Sequence, residues 1–156
     1  MKKSSLVLLS LSIFLSIFLQ PVSAEEKLVR CVRLWTGADN NSHFEEGVIA
    51  LDLSNSHGDI LSSKWNAKTV SFQKTNAGGQ LGWHGAPTRQ IVITLSGTLD
   101  FVNRNNEHFM VYPGDVLLAE DISGTGHAWK LVGSDPWIRA YIVLDPDTVV
   151  PFRANK

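Results

Sequence analysis

The stretch Gly78-Gly-Gln-Leu-Gly-Trp-His84-Gly-Ala-Pro-Thr-Arg-Gln90, running on through Ile-Val-Ile-Thr-Leu-Ser96 to Gly97 and Thr98-Leu-Asp-Phe-Val102, decides the class of fold. Short runs of β-branched and aromatic residues stand between glycine and proline, and nothing in the stretch repeats at the helical period of three to four. Gly97 can take the positive φ that a tight turn or bulge requires, so Gln90–Ser96 and Thr98–Val102 read as two strands that meet there.

Working outward, the same pattern recurs. Val48–Leu53 reads as a strand followed by the turn Ser-Asn-Ser-His-Gly-Asp59, and Thr69–Lys74 alternates before Thr-Asn-Ala-Gly-Gly79. His108–Tyr112 and Val116–Ala119 flank the turn Pro113-Gly-Asp115, and Trp137–Leu144 ends at Asp145-Pro146. About eight short strands with tight turns predict an all-β closed barrel or jelly roll. Such a barrel hides its strand edges and opens a mouth where a ligand can sit.

The leading residues are set aside from the fold. Met1-Lys-Lys3 is a basic start, Ser4–Gln20 is apolar, and Pro21-Val-Ser-Ala24 places small residues where a signal peptidase cuts. Residues 1–24 therefore read as a signal peptide cleaved after Ala24, with no stable membrane span afterwards and a secreted or periplasmic destination. Residues 25–156 then form one domain with one core. The chain carries 14 Lys and Arg against 15 Asp and Glu, with no block of like charge, so nucleic acid and anionic membrane are poor partners. Its one cysteine, Cys31, excludes an internal disulfide and reads as a buried small apolar residue, with pairing between chains as the rival. Asn40-Asn-Ser42 fits a glycosylation acceptor, relevant only in a eukaryotic host, whereas the Met-Lys-Lys start looks bacterial.

A second stretch, Tyr112-Pro-Gly-Asp-Val-Leu-Leu-Ala-Glu-Asp-Ile-Ser-Gly-Thr-Gly-His127, supplies the other half of the chemistry. On a strand that begins near Pro87, His84, Ala86 and Gln90 can share one facing, and His127 on a later strand can meet them inside. Two imidazoles and an amide oxygen make a facial ligand set for a divalent metal. The same residues can also be hydrogen-bonded barrel side chains, with Gln90 donating to an oxygen of a ligand.

These residues resemble the cupin superfamily. Gly78, His84, Gln90 and Gly97 fall at the spacing of its first motif, with Ala86 where the second histidine stands and Gln90 where the glutamate stands. Gly114, Gly124 and His127 approximate the second motif, without its proline or trailing asparagine. The resemblance covers about residues 69–144. Trp83-His-x-Ala-Pro-x-Arg-Gln90, Glu120-Asp121 with Gly124-x-Gly-His127, and Thr36-Gly-x-Asp39 with Ser42-His-Phe-Glu45 also look like a bacterial cupin subgroup of unassigned activity.

The resemblance implies a single cupin jelly-roll β-barrel, a double-stranded β-helix, and a metal site of His84, Gln90 and His127. Iron, manganese, zinc, nickel or copper would be its cofactor, and a homodimer is a frequent assembly. The implied function is binding of a small organic molecule, with metal-dependent oxygenation or isomerisation if the protein is an enzyme. The alternative is a non-catalytic binding module that has lost the metal.

Candidate substrate contacts are His43, as part of a lid, Trp83 and Trp129 beside the motif histidines, and Glu120 as a base near the mouth. Adjacent strand residues point to opposite faces, so at most one of Glu120 and Asp121 looks inward, and a solvated turn accounts for both. His43 can equally lie in a surface loop, and the two tryptophans can serve burial alone. Arg89 is expected to face outward and pair with a carboxylate. His57 and His108 receive no role.

Overall fold

The computed structural model describes residues 29–156; the leader reading for 1–24 lies outside them. Every regular element among the described residues is a strand, as the turn-punctuated sequence predicts. In chain order they are β1 (Val29–Thr36), β2 (Ser42–Ile49), β3 (Leu53–Ser54), β4 (Ile60–Leu61), β5 (Ala67–Thr75), β6 (Gln80–His84) and β7 (Gln90–Ser96). Then come β8 (Thr98–Val102), β9 (His108–Val111), β10 (Val116–Glu120), β11 (His127–Val132), β12 (Trp137–Leu144) and β13 (Phe152–Ala154). Among the described residues no helix is long and apolar enough to cross a membrane.

Two sheets face each other. The larger has the order β13-β2-β1-β10-β7-β12-β5 and the smaller β6-β11-β8-β9, while β3 and β4 form a separate hairpin. β1 and β10 run parallel. Between the sheets lies the main core, in which Leu34, Val92 and Leu117 of the larger sheet meet Phe101, Phe109 and Leu131 of the smaller. A second cluster covers the outer side of the larger sheet, where Cys31, Ile91, Val116 and Leu118 pack with Leu144 and Val150. β10 is therefore buried on both faces, which is why Val116-Leu-Leu-Ala119 is continuously apolar instead of alternating. Cys31 is fully buried, and burial pushes its thiol up to about 12, so it behaves as the small apolar residue expected.

β7, β8 and β12 begin and end where the sequence predicts, but β7 and β8 do not pair. Gly97 has φ 85°, and a Cβ there would stand 2.8 Å from the carbonyl oxygen of Pro136. The chain leaves the larger sheet at that glycine and enters the smaller one, so the expected meeting of the two strands is a change of sheet. The strand expected at Val48–Leu53 is displaced: β2 starts at Ser42 and ends at Ile49. Its charged beginning is strand because Arg33 of β1 lies directly opposite Glu45 and pairs with it at 3.1 Å.

Candidate functional site

At one end of the space between the sheets the packing gives way to a cavity of about 540 Å³. Phe101, Trp129 and Trp137 give it aromatic walls, with Trp129 and Trp137 edge to face at 4.9 Å. His84, Gln90, His127 and Arg139 supply its polar groups. The inward positions of β6, β7, β8, β11 and β12 bring these side chains together.

The two histidines of the motif stretches meet. His84 of β6 and His127 of β11 are directly opposed in the ladder, with ring centroids 4.4 Å apart and planes inclined at 54°. The approach depends on Gly126, at φ 69°, where a Cβ would fall 2.2 Å from the His84 carbonyl oxygen. Gly126→Ala is expected to cost about 2 kcal/mol from the positive φ and the forced shift of the His84 backbone. Urea denaturation measures it, and a variant as stable as the wild type would contradict this account of the pair.

Each imidazole has a fixed tautomer. His84 donates from Nδ1 to the Gly82 carbonyl at 2.7 Å. His127, itself buried, donates from Nδ1 to Asp121 Oδ2 at 2.7 Å. In each ring Nε2 is thus the nitrogen left for a ligand. Burial pushes the His84 imidazolium below the ordinary histidine range, and the neighbouring His127 adds to the shift.

Asp121 is fully buried and also accepts from Ser42 Oγ at 2.7 Å; its Oδ1 has no hydrogen-bond partner among the described residues. The Asp121 carboxyl group therefore stands directly behind His127, with two donors on Oδ2 and none on Oδ1. Because the Ser42 hydroxyl donates to Asp121 and not to an imidazole, the three residues do not form a nucleophilic triad.

The turn after β1 holds the loop that carries this group. Thr36 Oγ1 donates to the Ser123 carbonyl, Thr125 N to the Asn40 carbonyl, and Thr125 Oγ1 to Asn41 Oδ1. The upstream Thr36-Gly-x-Asp39 and Ser42 thus act from behind the histidines. His43 is not a lid over the cavity: its ring stacks on Trp35 at 5.9 Å and bonds Asp39 at 2.9 Å. That hydrogen bond, with those from Asn41, holds the Asp39 carboxyl down at about 2.

The remaining expectations divide by strand parity. Gln90 is buried in the cavity wall, and Trp129, two residues from His127, shares its facing. Trp83 faces outward, with the Arg104 guanidinium 3.9 Å from its ring centroid. Glu120 also stands outside the cavity, between Arg33 at 2.7 Å and Arg89 at 2.6 Å, the outward pairing expected for Arg89. Glu120 and Asp121 are thus not a solvated turn: the first is held by two arginines, and the second is the buried partner of His127.

Among the cavity residues that sequence reasoning missed are Phe101, Trp137, Arg139 and Tyr141. The alternation Trp137-x-Arg-x-Tyr141 on a strand flanked by buried apolar residues was the signal for the last three.

Among the described residues no group of three or more His, Cys, Asp or Glu side chains is placed to hold a metal ion. A third protein ligand beside the two histidines would have to be the Gln90 amide. Comparison with known proteins gave no match to any family model and none to the curated proteins.

Proposed function

We propose that the chain is a small cupin-type jelly roll, secreted or periplasmic, that binds a small organic molecule beside a divalent metal held by His84, His127 and Gln90. The observation that carries the reading is the opposed histidine pair, each ring tied to the protein through Nδ1, at an aromatic cavity. The face-to-face sheets, the change of sheet at Gly97 and the meeting of the two motif histidines support the cupin part of it.

The residues suit a metal in their chemistry: two imidazoles stand side by side with ring centroids 4.4 Å apart, each tied back through Nδ1, which leaves Nε2 as the ligating nitrogen. The buried Asp121, with one oxygen unpartnered, orients His127 from behind, as carboxylates behind metal-binding histidines do. A bound metal would supply a Lewis acid or an oxygen-activating centre, the chemistry of an isomerase or oxygenase. The chain's own part is to orient the two imidazoles through their Nδ1 hydrogen bonds and to present the Gln90 amide. Trp129 and Trp137 keep water away from an apolar ligand body.

A second reading, a binding module without metal, is favoured by one observation. Ala86 is buried in the cavity wall where the resemblance places a histidine, so the donor set carries no charge of its own. Elemental analysis of the purified chain, cleaved at its leader, separates the two. The metal reading expects about one iron, manganese, zinc, nickel or copper per chain. His84→Ala and His127→Ala should each weaken uptake by more than the ~10–100-fold that loss of an outer partner produces. Wild-type protein that stays metal-free on titration while still taking up a ligand belongs to the second reading.

A further inference from the structure

Arg139 of β12 is 6% exposed and reaches the cavity, yet among the described residues it forms no ion pair with a carboxylate. Every other arginine of the larger sheet's strands does: Arg30 with Glu46, Arg33 with Glu120, Arg153 with Asp52. The acceptors that hold Arg139 are all neutral. Its Nε donates to Tyr141 Oη at 3.1 Å and its Nη2 to Gln73 Oε1 at 3.1 Å. Its Nη1 donates to Thr75 Oγ1 at 2.8 Å and, at 3.4 Å, to the Trp137 carbonyl. The guanidinium lies 3.8 Å from the centroid of the Trp137 ring.

A guanidinium carries five N–H groups and keeps its charge under all ordinary conditions. Burying that charge among neutral acceptors is costly, because oriented dipoles replace only part of its hydration. A purely structural tie between β12 and the edge strand β5 needs no charge; a neutral amide would serve. The four bonds also leave one N–H of Nη2 uncommitted. Tyr141 accepts from Arg139, so its own O–H proton can be donated elsewhere, and Tyr141 lines the same cavity.

We propose that Arg139 and Tyr141 form an anion-recognition point, and that the ligand of this cavity is a small carboxylate on an apolar, aromatic-sized body. The inference rests on the reading of the cavity as a small-molecule site, but not on the metal. Placement along the sheet sets the ligand's orientation. Gln90 lies opposite Val143, while Arg139 lies four positions earlier on the same strand, opposite Thr94. At about 3.3 Å per residue the two backbones are roughly 13 Å apart. The carboxylate would therefore sit at the Arg139 end, the apolar body between Trp129, Trp137 and Phe101, and the far end of the molecule would face His84 and His127.

The test uses benzoate and phenylacetate against their uncharged counterparts benzamide and phenylacetamide, followed by calorimetry and ligand-observed NMR. All measurements are made on chelator-treated protein, so that no metal can hold the anion. A charge-assisted, forked contact predicts that the acids bind roughly 10–100-fold tighter than the amides. Arg139→Met should remove the preference while keeping the amides' affinity. Arg139→Lys, with the charge but not the fork, should keep part of it. If the methionine variant does not fold by circular dichroism, the acid-to-amide ratio in the wild type and in the lysine variant decides alone.

Equal binding of acids and amides to the wild type overturns the anion point and leaves the cavity reading standing. An acid preference that survives Arg139→Met assigns the anion to another group and overturns it as well. Failure of all four probes to bind, at concentrations up to their solubility, removes the anion point and the small-molecule reading together.

Discussion

Asp121→Ala is expected to lower the unfolding free energy by about 2–3 kcal/mol, the upper part of the range for leaving a buried donor without its acceptor. The side chain is fully buried and receives two hydrogen bonds through one oxygen, from His127 and from Ser42. Removing it leaves the His127 Nδ1–H without an acceptor in a site with 5% exposure, so the desolvation already incurred by the imidazole is no longer offset. Ser42 can rotate its hydroxyl, and Ser42→Ala should accordingly cost only about 1 kcal/mol. Asp121→Asn separates stability from function. Its amide oxygen can still accept from His127, but it gives up the negative charge, and nothing then enforces the Nδ1–H tautomer. On the proposed metal reading, metal affinity should fall ~10–100-fold in this variant, at a smaller loss of stability than in the alanine variant. Urea denaturation and metal titration of the two variants read these effects separately. An alanine variant within 1 kcal/mol of the wild type would show that Asp121 does not hold the His127 group together.

Asp121 also marks where the sequence stops being legible. The histidine pair could be read ahead of the structure because the glycine spacing before His84 and the Gly-x-Gly before His127 are local signals. The direction of Asp121 is not local. It is fixed by Ser42 and by the turn around Asn40, about eighty residues away, which binds Ser123 and Thr125. Strand parity placed Arg89 outward and Gln90 inward, since both lie at the start of one regular strand. The same rule could say that Glu120 and Asp121 differ, but not which one looks inward, because the strand ends between them.

The fold was legible in the same uneven way. β7, β8 and β12 carry clean apolar runs bounded by glycine, proline or aspartate, and their limits followed from that punctuation. β1 did not stand out, because Arg30 and Arg33 interrupt Val29-Arg-Cys-Val-Arg-Leu-Trp-Thr36. Both arginines sit in the strand because carboxylates distant in sequence, Glu46 and Asp115 for one and Glu45 and Glu120 for the other, neutralise them. A buried or half-buried charge is compatible with a strand only through such partners, and pairing across the sheet cannot be read from one strand's own composition. Arg139 was overlooked for the opposite reason: among the described residues it has no carboxylate partner.

Phe101→Ala is expected to lower the unfolding free energy by about 3–5 kcal/mol, the usual cost of deleting a buried phenylalanine side chain. Phe101 is 1% exposed at the centre of the smaller sheet, and it joins the packed core to the cavity. Its ring stacks on Phe109 at 4.9 Å, lies 5.6 Å from the His127 ring and meets the edge of Trp137 at 6.5 Å. Truncation removes the transfer free energy of the ring and leaves a void that β8, bonded to β11 and β9 on both sides, cannot collapse into. Phe72→Ala is the matched comparison. That ring is 71% exposed on the edge strand β5, so the same chemical change should cost less than about 1 kcal/mol. Because the Phe101 void is continuous with the cavity, part of the loss should be recoverable. Naphthoate-sized probes should stabilise Phe101→Ala more than they stabilise the wild type, as ligands that bind only the folded state do. Urea midpoints of the two variants, with and without probe, check both statements. A Phe101→Ala variant no less stable than Phe72→Ala would mean that the aromatic wall of the cavity is not part of the core that holds the two sheets together.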